Sequence, residues 1–148
     1  MFRSPKETSE LLDFIVDHLQ GLNNKIDVIV GLDSRGFLFG PWLANRLNAG
    51  FVPIRKEGKL PPPAFKVGYT KEYGTDFFEL SQSSIQKGQN VVVLDDLIAT
   101  GGSAKAAGEL VKLAGGNTIQ YVFFIELTFL NGKKLLDAPT FSVFKYDD

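Results

Sequence analysis

The chain contains no cysteine, which removes disulfides, thiolate zinc sites and a cysteine nucleophile together. Its one histidine, His18, excludes a histidine-based metal cluster. Charge of one sign is not in excess either: 16 Lys and Arg face 17 Asp and Glu. Nothing in that balance points to nucleic acid, and any anion site has to be a local cluster. No Gly-Lys-Ser/Thr follows a glycine-rich loop, so a Walker loop is excluded, and the G-x-G-x-x-G dinucleotide spacing does not occur. No apolar run approaches the ~18 residues of a membrane span. With no leader pattern at its start, the chain is expected to be cytosolic, with no membrane partner. No repeat, low-complexity tract or linker divides the 148 residues. One domain is the expectation, and a chain of this size buries roughly 68–70% of its unfolded surface.

What is present centres on Val91–Ser103, VVVLDDLIATGGS. Val91 to Leu94 read as a strand buried on both faces, with Asp95 and Asp96 at its C-terminal end. A short turn then delivers Thr100, Gly101, Gly102 and Ser103 to a helix from about Ala104 to Leu113, stopped by Gly115-Gly116. In a parallel α/β sheet, ligands bind in the crevice beyond the strand C-termini. Glycines let backbone approach an anion, and a helix N-terminus presents unpaired N–H groups and a positive dipole end. The turn therefore suits a phosphate. Asp95 and Asp96 repel that phosphate and are suited instead to sugar hydroxyls, or to Mg2+ directly or through water. The plainer alternative is an ordinary strand–helix turn capped by serine.

The remaining segments fit one α/β domain. Glu10–Leu19 carries a helical apolar stripe with Thr8 or Ser9 as its cap, and His18 beside the stripe reads as a surface residue. Ile26–Val30 reads as a buried strand closed by Gly31, followed by Asp33-Ser34-Arg35-Gly36 and a helix from about Phe37 to Leu47. This second strand–loop–helix unit also suits an anion, through Arg35 and the N–H groups of Ser34 to Phe37. A third strand, Phe51–Ile54, leads into Arg55, Lys56 and Lys59, cations suited to a polyanion at the same crevice. Pro61-Pro62-Pro63 forms a stiff extended segment. Phe65–Tyr73 and Asp76–Leu80 alternate as a hairpin around Gly74. Ile119–Glu126 reads as a further buried strand, and Phe141–Tyr146 as a last strand at the sheet edge.

VVVLDDLIATGGS resembles the 5-phosphoribosyl-1-pyrophosphate (PRPP) motif of type I phosphoribosyltransferases. GLDSRGFLFGPWLA (Gly31–Ala44), VPIRKEGKLP (Val52–Pro61), YTKEYG (Tyr69–Gly74) and IELTFLNGKKLL (Ile125–Leu136) are similar, in the same order, to the adenine phosphoribosyltransferase family. The resemblance implies the type I phosphoribosyltransferase fold, a mostly parallel sheet flanked by helices with a flexible hairpin lid over about 61–82. It implies transfer of 5-phosphoribosyl from PRPP to adenine, giving AMP and pyrophosphate, in a cytoplasmic homodimer. Mg2+ would be carried by PRPP, with no protein ligand assigned to it. Ala99, Thr100, Gly101, Gly102 and Ser103 would hold the 5-phosphate, and Asp95 and Asp96 the ribose. Asp33, Ser34, Arg35, Arg55, Lys56, Lys59 and Tyr73 would face pyrophosphate, while Arg35, Ala99 and Leu127 would face the base. Glu72 matches the lid carboxylate that manages the purine proton, and Glu72, Arg55 and Asp96 are the catalytic candidates.

Two departures from the family pattern stand out. Family members carry about one further helix and strand ahead of the point where this sequence starts, forming a hood over the base. Phe2-Arg3-Ser4-Pro5 aligns better with the loop after that hood, so base affinity and specificity are the properties in question. Pro62 stands where the family has glycine after Leu-Pro, which restricts a hinge of the lid. The alternative within the class is another purine or pyrimidine base; a 6-oxopurine would call for a donor such as lysine facing its oxygen, and none is read beside the central motif. The alternative from a different class is a PRPP-binding regulatory or inactive protein on the same fold. A phospho-receiver domain is excluded because its acidic pair lies near the chain start.

Overall fold

A computed structural model describes residues 3–71 and 73–148; Met1, Phe2 and Glu72 lie outside the described residues. Among the described residues three α-helices, α1 (Pro5–Gln20), α2 (Gly36–Arg46) and α3 (Gly102–Leu113), accompany seven strands. The strands are β1 (Val28–Leu32), β2 (Gly50–Lys56), β3 (Ala64–Lys71), β4 (Gly74–Ser81), β5 (Asn90–Ile98), β6 (Asn117–Leu127) and β7 (Thr140–Tyr146). They form one sheet in the order β3-β4-β2-β1-β5-β6-β7. β2, β1, β5, β6 and β7 run parallel, and the β3–β4 hairpin joins antiparallel through Arg55↔Glu79 and Lys56↔Phe78. The expected α/β architecture, hairpin and edge position of β7 are all present.

The parallel strands are apolar on both faces because helices cover both. Val28, Val30, Leu32, Val91, Val93, Tyr121 and Phe123 pack under α3 with Ala107, Leu110 and Val111, and Phe78 and Leu80 of the hairpin join them. Ile29, Val92, Leu94, Val122 and Phe124, one residue out of step, pack instead against Leu12, Ile15 and Leu19 of α1 and Phe39 and Leu43 of α2. The period of two therefore survives within runs that look uniformly apolar.

Several boundaries differ from expectation. Helix α1 starts at Pro5, not Glu10: Ser4 is its cap, accepting from the Glu7 N–H at 3.4 Å, and Pro5 sits where a missing N–H costs nothing. Thr8 is buried one turn inside. Gly31 does not close β1 but lies within it, pairing with Pro53 and Leu94, and glycine fits there because a Cβ would meet the Phe51 ring at 2.8 Å. His18 is half-buried rather than a free surface residue, stacked on Phe141 with ring centroids 3.7 Å apart and bonded to Gln120 at 3.2 Å. That gives it a packing role on the sheet edge.

Strand order also fixes where a ligand can sit. From β1 the chain passes through α2 to β2 on one side; from β5 it passes through α3 to β6 on the other. The connections diverge between the adjacent strands β1 and β5, and a crevice opens beyond their C-terminal ends.

Candidate active site

The acidic pair lies inside β5 rather than just past it. β6 is long enough to keep pairing, with Asp95 opposite Phe123 and Ile98 opposite Glu126. The Asp95 side chain accepts from the Asp96 N–H at 2.8 Å. Burial pushes the Asp95 carboxyl up to about 7, the Asp96 charge adds to that rise, and the Asp96 N–H and Arg35 oppose it. A carboxyl in that range serves as donor or acceptor toward a hydroxyl. Asp96 is paired across the crevice with Arg35, Nε to Oδ2 at 2.8 Å. This contact joins the loop after β1 to the strand β5 directly over the point where the connections diverge.

After Ile98 the chain turns through Ala99 and Thr100, and Gly101 enters the helix at φ +92°. That left-handed conformation is one glycine adopts freely. It makes Gly101 the cap of α3, with no side chain bonded there, so Ser103 is not the cap and the helix starts at Gly102. The Gly101 carbonyl accepts from the Lys105 N–H at 2.9 Å. The N–H groups of Gly102, Ser103 and Ala104 consequently have no partner within the helix. A cavity of about 330 Å³ opens over them, with Asp95 and Asp96 on one wall and Thr100 to Ser103 on another. Donors at one end and carboxylates at the other suit a phosphorylated sugar.

Two cations at and just after the end of β2 converge on one carboxylate in the loop after β1. Asp33, whose side chain is 5% exposed, lies 3.4 Å from Arg55 Nε and 3.8 Å from Lys59 Nζ. It also accepts from the Lys56 N–H at 3.3 Å. Arg55 is further held over the Phe37 ring, 5.8 Å from its centroid. A buried carboxylate so engaged anchors the cations beside it. Arg55 and Lys56 belong to β2 itself, where β4 extends the pairing. Ser34 lies in the turn, with the Asp33–Ser34 peptide cis. The Phe37 N–H, expected to be open to an anion, is taken by the Ser34 carbonyl at 3.1 Å.

Other expected residues stand apart from the cavity. Tyr73 is 96% exposed at the hairpin tip and Leu127 is half-buried at the end of β6. Glu72 lies outside the described residues. The structure adds four that the sequence did not single out: Leu97 of β5, and Tyr69, Thr70 and Lys71 of β3, which line the cavity opposite the Thr100–Ser103 turn. Lys71 is ion-paired with Asp76 on the facing strand, which raises its pKa. Burial raises that of the Tyr69 hydroxyl, keeping it a donor. The alternation Tyr69, Lys71 in β3 was the available signal, and hairpin polarity alone did not say which face met the loop.

Comparison with known proteins gives the family and the fold. The phosphoribosyl transferase domain family matches residues 3–147. Adenine phosphoribosyltransferase of Candida albicans is 58% identical over 120 residues, 81% of this chain. Adenine phosphoribosyltransferase 1 of Saccharomyces cerevisiae is 52% identical over 145 residues, 97% of this chain and 78% of its own length. The chain belongs to the adenine phosphoribosyltransferase family. The aligned stretch spans 64% of the length of the Candida albicans relative. The crystal structure of the Saccharomyces cerevisiae enzyme, complexed with D-2,5-dideoxy-2,5-imino-altritol 1,6-bisphosphate and adenine, superposes with a TM-score of 0.94. It is 53% identical, with 96% of this chain and 82% of that one covered. The Trypanosoma brucei enzyme, in complex with AMP, pyrophosphate and ribose-5-phosphate, has a TM-score of 0.90 at 34% identity, covering 97% of this chain and 66% of that one.

Proposed function

We propose that the chain transfers the 5-phosphoribosyl group of PRPP to N9 of adenine, releasing pyrophosphate and forming AMP. The observation that carries this reading is the cavity at the β1–β5 divergence, with uncapped helix donors at one end and the Asp95–Asp96 pair at the other. The 5-phosphate sits on Ala99–Ser103, held by the N–H groups of α3 and the hydroxyls of Thr100 and Ser103. Asp95 and Asp96 take the ribose hydroxyls, and Asp96 is released from Arg35 as they arrive. Arg35 then faces pyrophosphate and the edge of the base, with the Ala99 backbone and Leu127 on the base side.

In the reaction the C1–oxygen bond to pyrophosphate breaks with its electron pair going to pyrophosphate, and the N9–C1 bond forms. Arg55, Lys56 and Lys59 stabilise the charge that builds on the leaving group, preset by Asp33. Glu72 receives the proton lost from the base. The β3–β4 hairpin, already facing the phosphate loop through Tyr69 and Thr70, excludes water from the cationic sugar. Among the described residues no group of three His, Cys, Asp or Glu could hold a metal. Mg2+ would come in with PRPP, Asp96 is the residue suited to hold it through water, and the ion would supply positive charge against pyrophosphate.

No described helix is long and apolar enough to cross a membrane, and a cytoplasmic homodimer is the assembly we propose. The test is pyrophosphate release from PRPP and Mg2+ with adenine, hypoxanthine or guanine supplied in parallel. Release with adenine alone supports the reading. Release with a 6-oxopurine instead reassigns the base, and saturable PRPP binding without release makes the chain a PRPP-binding regulator.

A further inference from the structure

Behind the phosphate loop two stretches of backbone touch with no side chain between them. After β6 the chain makes two short 3₁₀ turns, Thr128–Leu130 and Gly132–Leu135, separated by Asn131 at φ +51°. Gly132 is buried and lies directly under Ala99–Gly101. A Cβ on Gly132 would stand 2.5 Å from the Ala99 carbonyl oxygen and 2.8 Å from the Gly101 nitrogen. From the other side, a Cβ on Gly101 would run into the Gly132 carbonyl oxygen. Each glycine is required by the other's backbone. The entry to α3 has no side-chain cap, so the left-handed turn at Gly101 is held in place by this packing.

We propose that Gly132 is a positioning residue for the phosphate subsite. Asn131-Gly132 forms a backstop that fixes the Ala99 carbonyl and the Gly101 N–H, and thereby aims the first N–H groups of α3 at one point. The inference rests on the phosphoribosyl reading above for the identity of the ligand. Ordinary van der Waals contact needs about 3.4 Å or more, whereas the overlap at residue 132 is with backbone atoms that no rotamer change can move aside. Adding one methyl therefore shifts the loop by a sizeable fraction of an ångström, and misplacement of about 1 Å costs on the order of a hundredfold in a positioned site.

The test compares wild type, Gly132→Ala, Asn131→Val and, as a control on the same turn, Lys134→Ala at an exposed position. Dissociation constants for PRPP and for ribose 5-phosphate, KM for adenine, kcat at saturating PRPP, and thermal midpoints are measured for each. Gly132→Ala is expected to weaken PRPP and ribose 5-phosphate together by about 10- to 100-fold, with adenine KM within about twofold. Asn131→Val, which forces a β-branched residue toward positive φ, shifts the same two constants in the same direction and serves if Gly132→Ala does not fold. Lys134→Ala leaves them unchanged. A lowered thermal midpoint with unchanged PRPP and ribose 5-phosphate constants in both variants overturns the proposal, leaving Gly132 a structural residue only. If wild type binds both ligands yet makes no AMP, the transferase reading fails while the binding comparison still decides this one. Binding of neither ligand by wild type overturns both.

Discussion

At the scale of single residues, two buried aspartates sit in different surroundings. Asp33 is ringed by Arg55, Lys59 and the Lys56 N–H. Asp33→Asn keeps the shape and removes the charge that holds both cations. PRPP KM is expected to rise on the order of tenfold, with adenine KM nearly unchanged, in initial-rate measurements. Asp95 is buried beside a second carboxylate, which lifts it to about 7 from an ordinary 3.8. Folded protein then holds a proton that unfolded protein has already released, so Asp95 lowers the stability of the ligand-free fold progressively from about pH 4 to about pH 7. Asp95→Asn removes that penalty. Its thermal midpoint relative to wild type should climb as pH is raised from 5 to 8; a difference independent of pH would contradict the raised carboxyl.

The elements themselves rest on local signals of unequal clarity. The helix α1 cap is a single serine followed by proline, and Ser4→Ala should cost about 1 kcal/mol, a fall of roughly 2–4 °C in thermal midpoint for a chain of this size. At the start of α3 the left-handed glycine packs directly on the Gly132 backbone, where a side chain has no room. Gly101→Val is expected to abolish PRPP binding in a titration while the far-ultraviolet spectrum shows the sheet intact. The strands were legible because burial on both faces leaves unbroken apolar runs, as in Val91–Leu94 and Tyr121–Ile125. Their ends were not: β5 runs on through two aspartates only because β6 continues beside it, and pairing length is a property of the neighbour. The α1 start was missed because the apolar stripe begins later than the Ser4-Pro5 signal.

For the molecule as a whole, the site is a consequence of strand order. Loops after β1, β2 and β5 meet at one end of a parallel sheet, and the diverging connections open the crevice between β1 and β5. The strand–turn–helix unit was readable from VVVLDDLIATGGS because an apolar run, glycines, hydroxyls and a helix start are contiguous. The Arg35–Asp96 pair, the Asp33 anchor and the Gly101–Gly132 packing were not, since each joins segments that only folding brings together. Both helical layers and the hairpin act to hold that crevice, so removing one carboxylate from it should silence the chemistry without unfolding the domain. The most direct measurement is AMP formed from adenine, PRPP and Mg2+, followed for wild type and Asp96→Asn with the thermal midpoint of each recorded. AMP from wild type, and a loss of about a hundredfold or more in Asp96→Asn with the midpoint retained, is the predicted result. Equal turnover by the two proteins would contradict the placement of the ribose on β5, and no AMP from wild type would contradict the account itself.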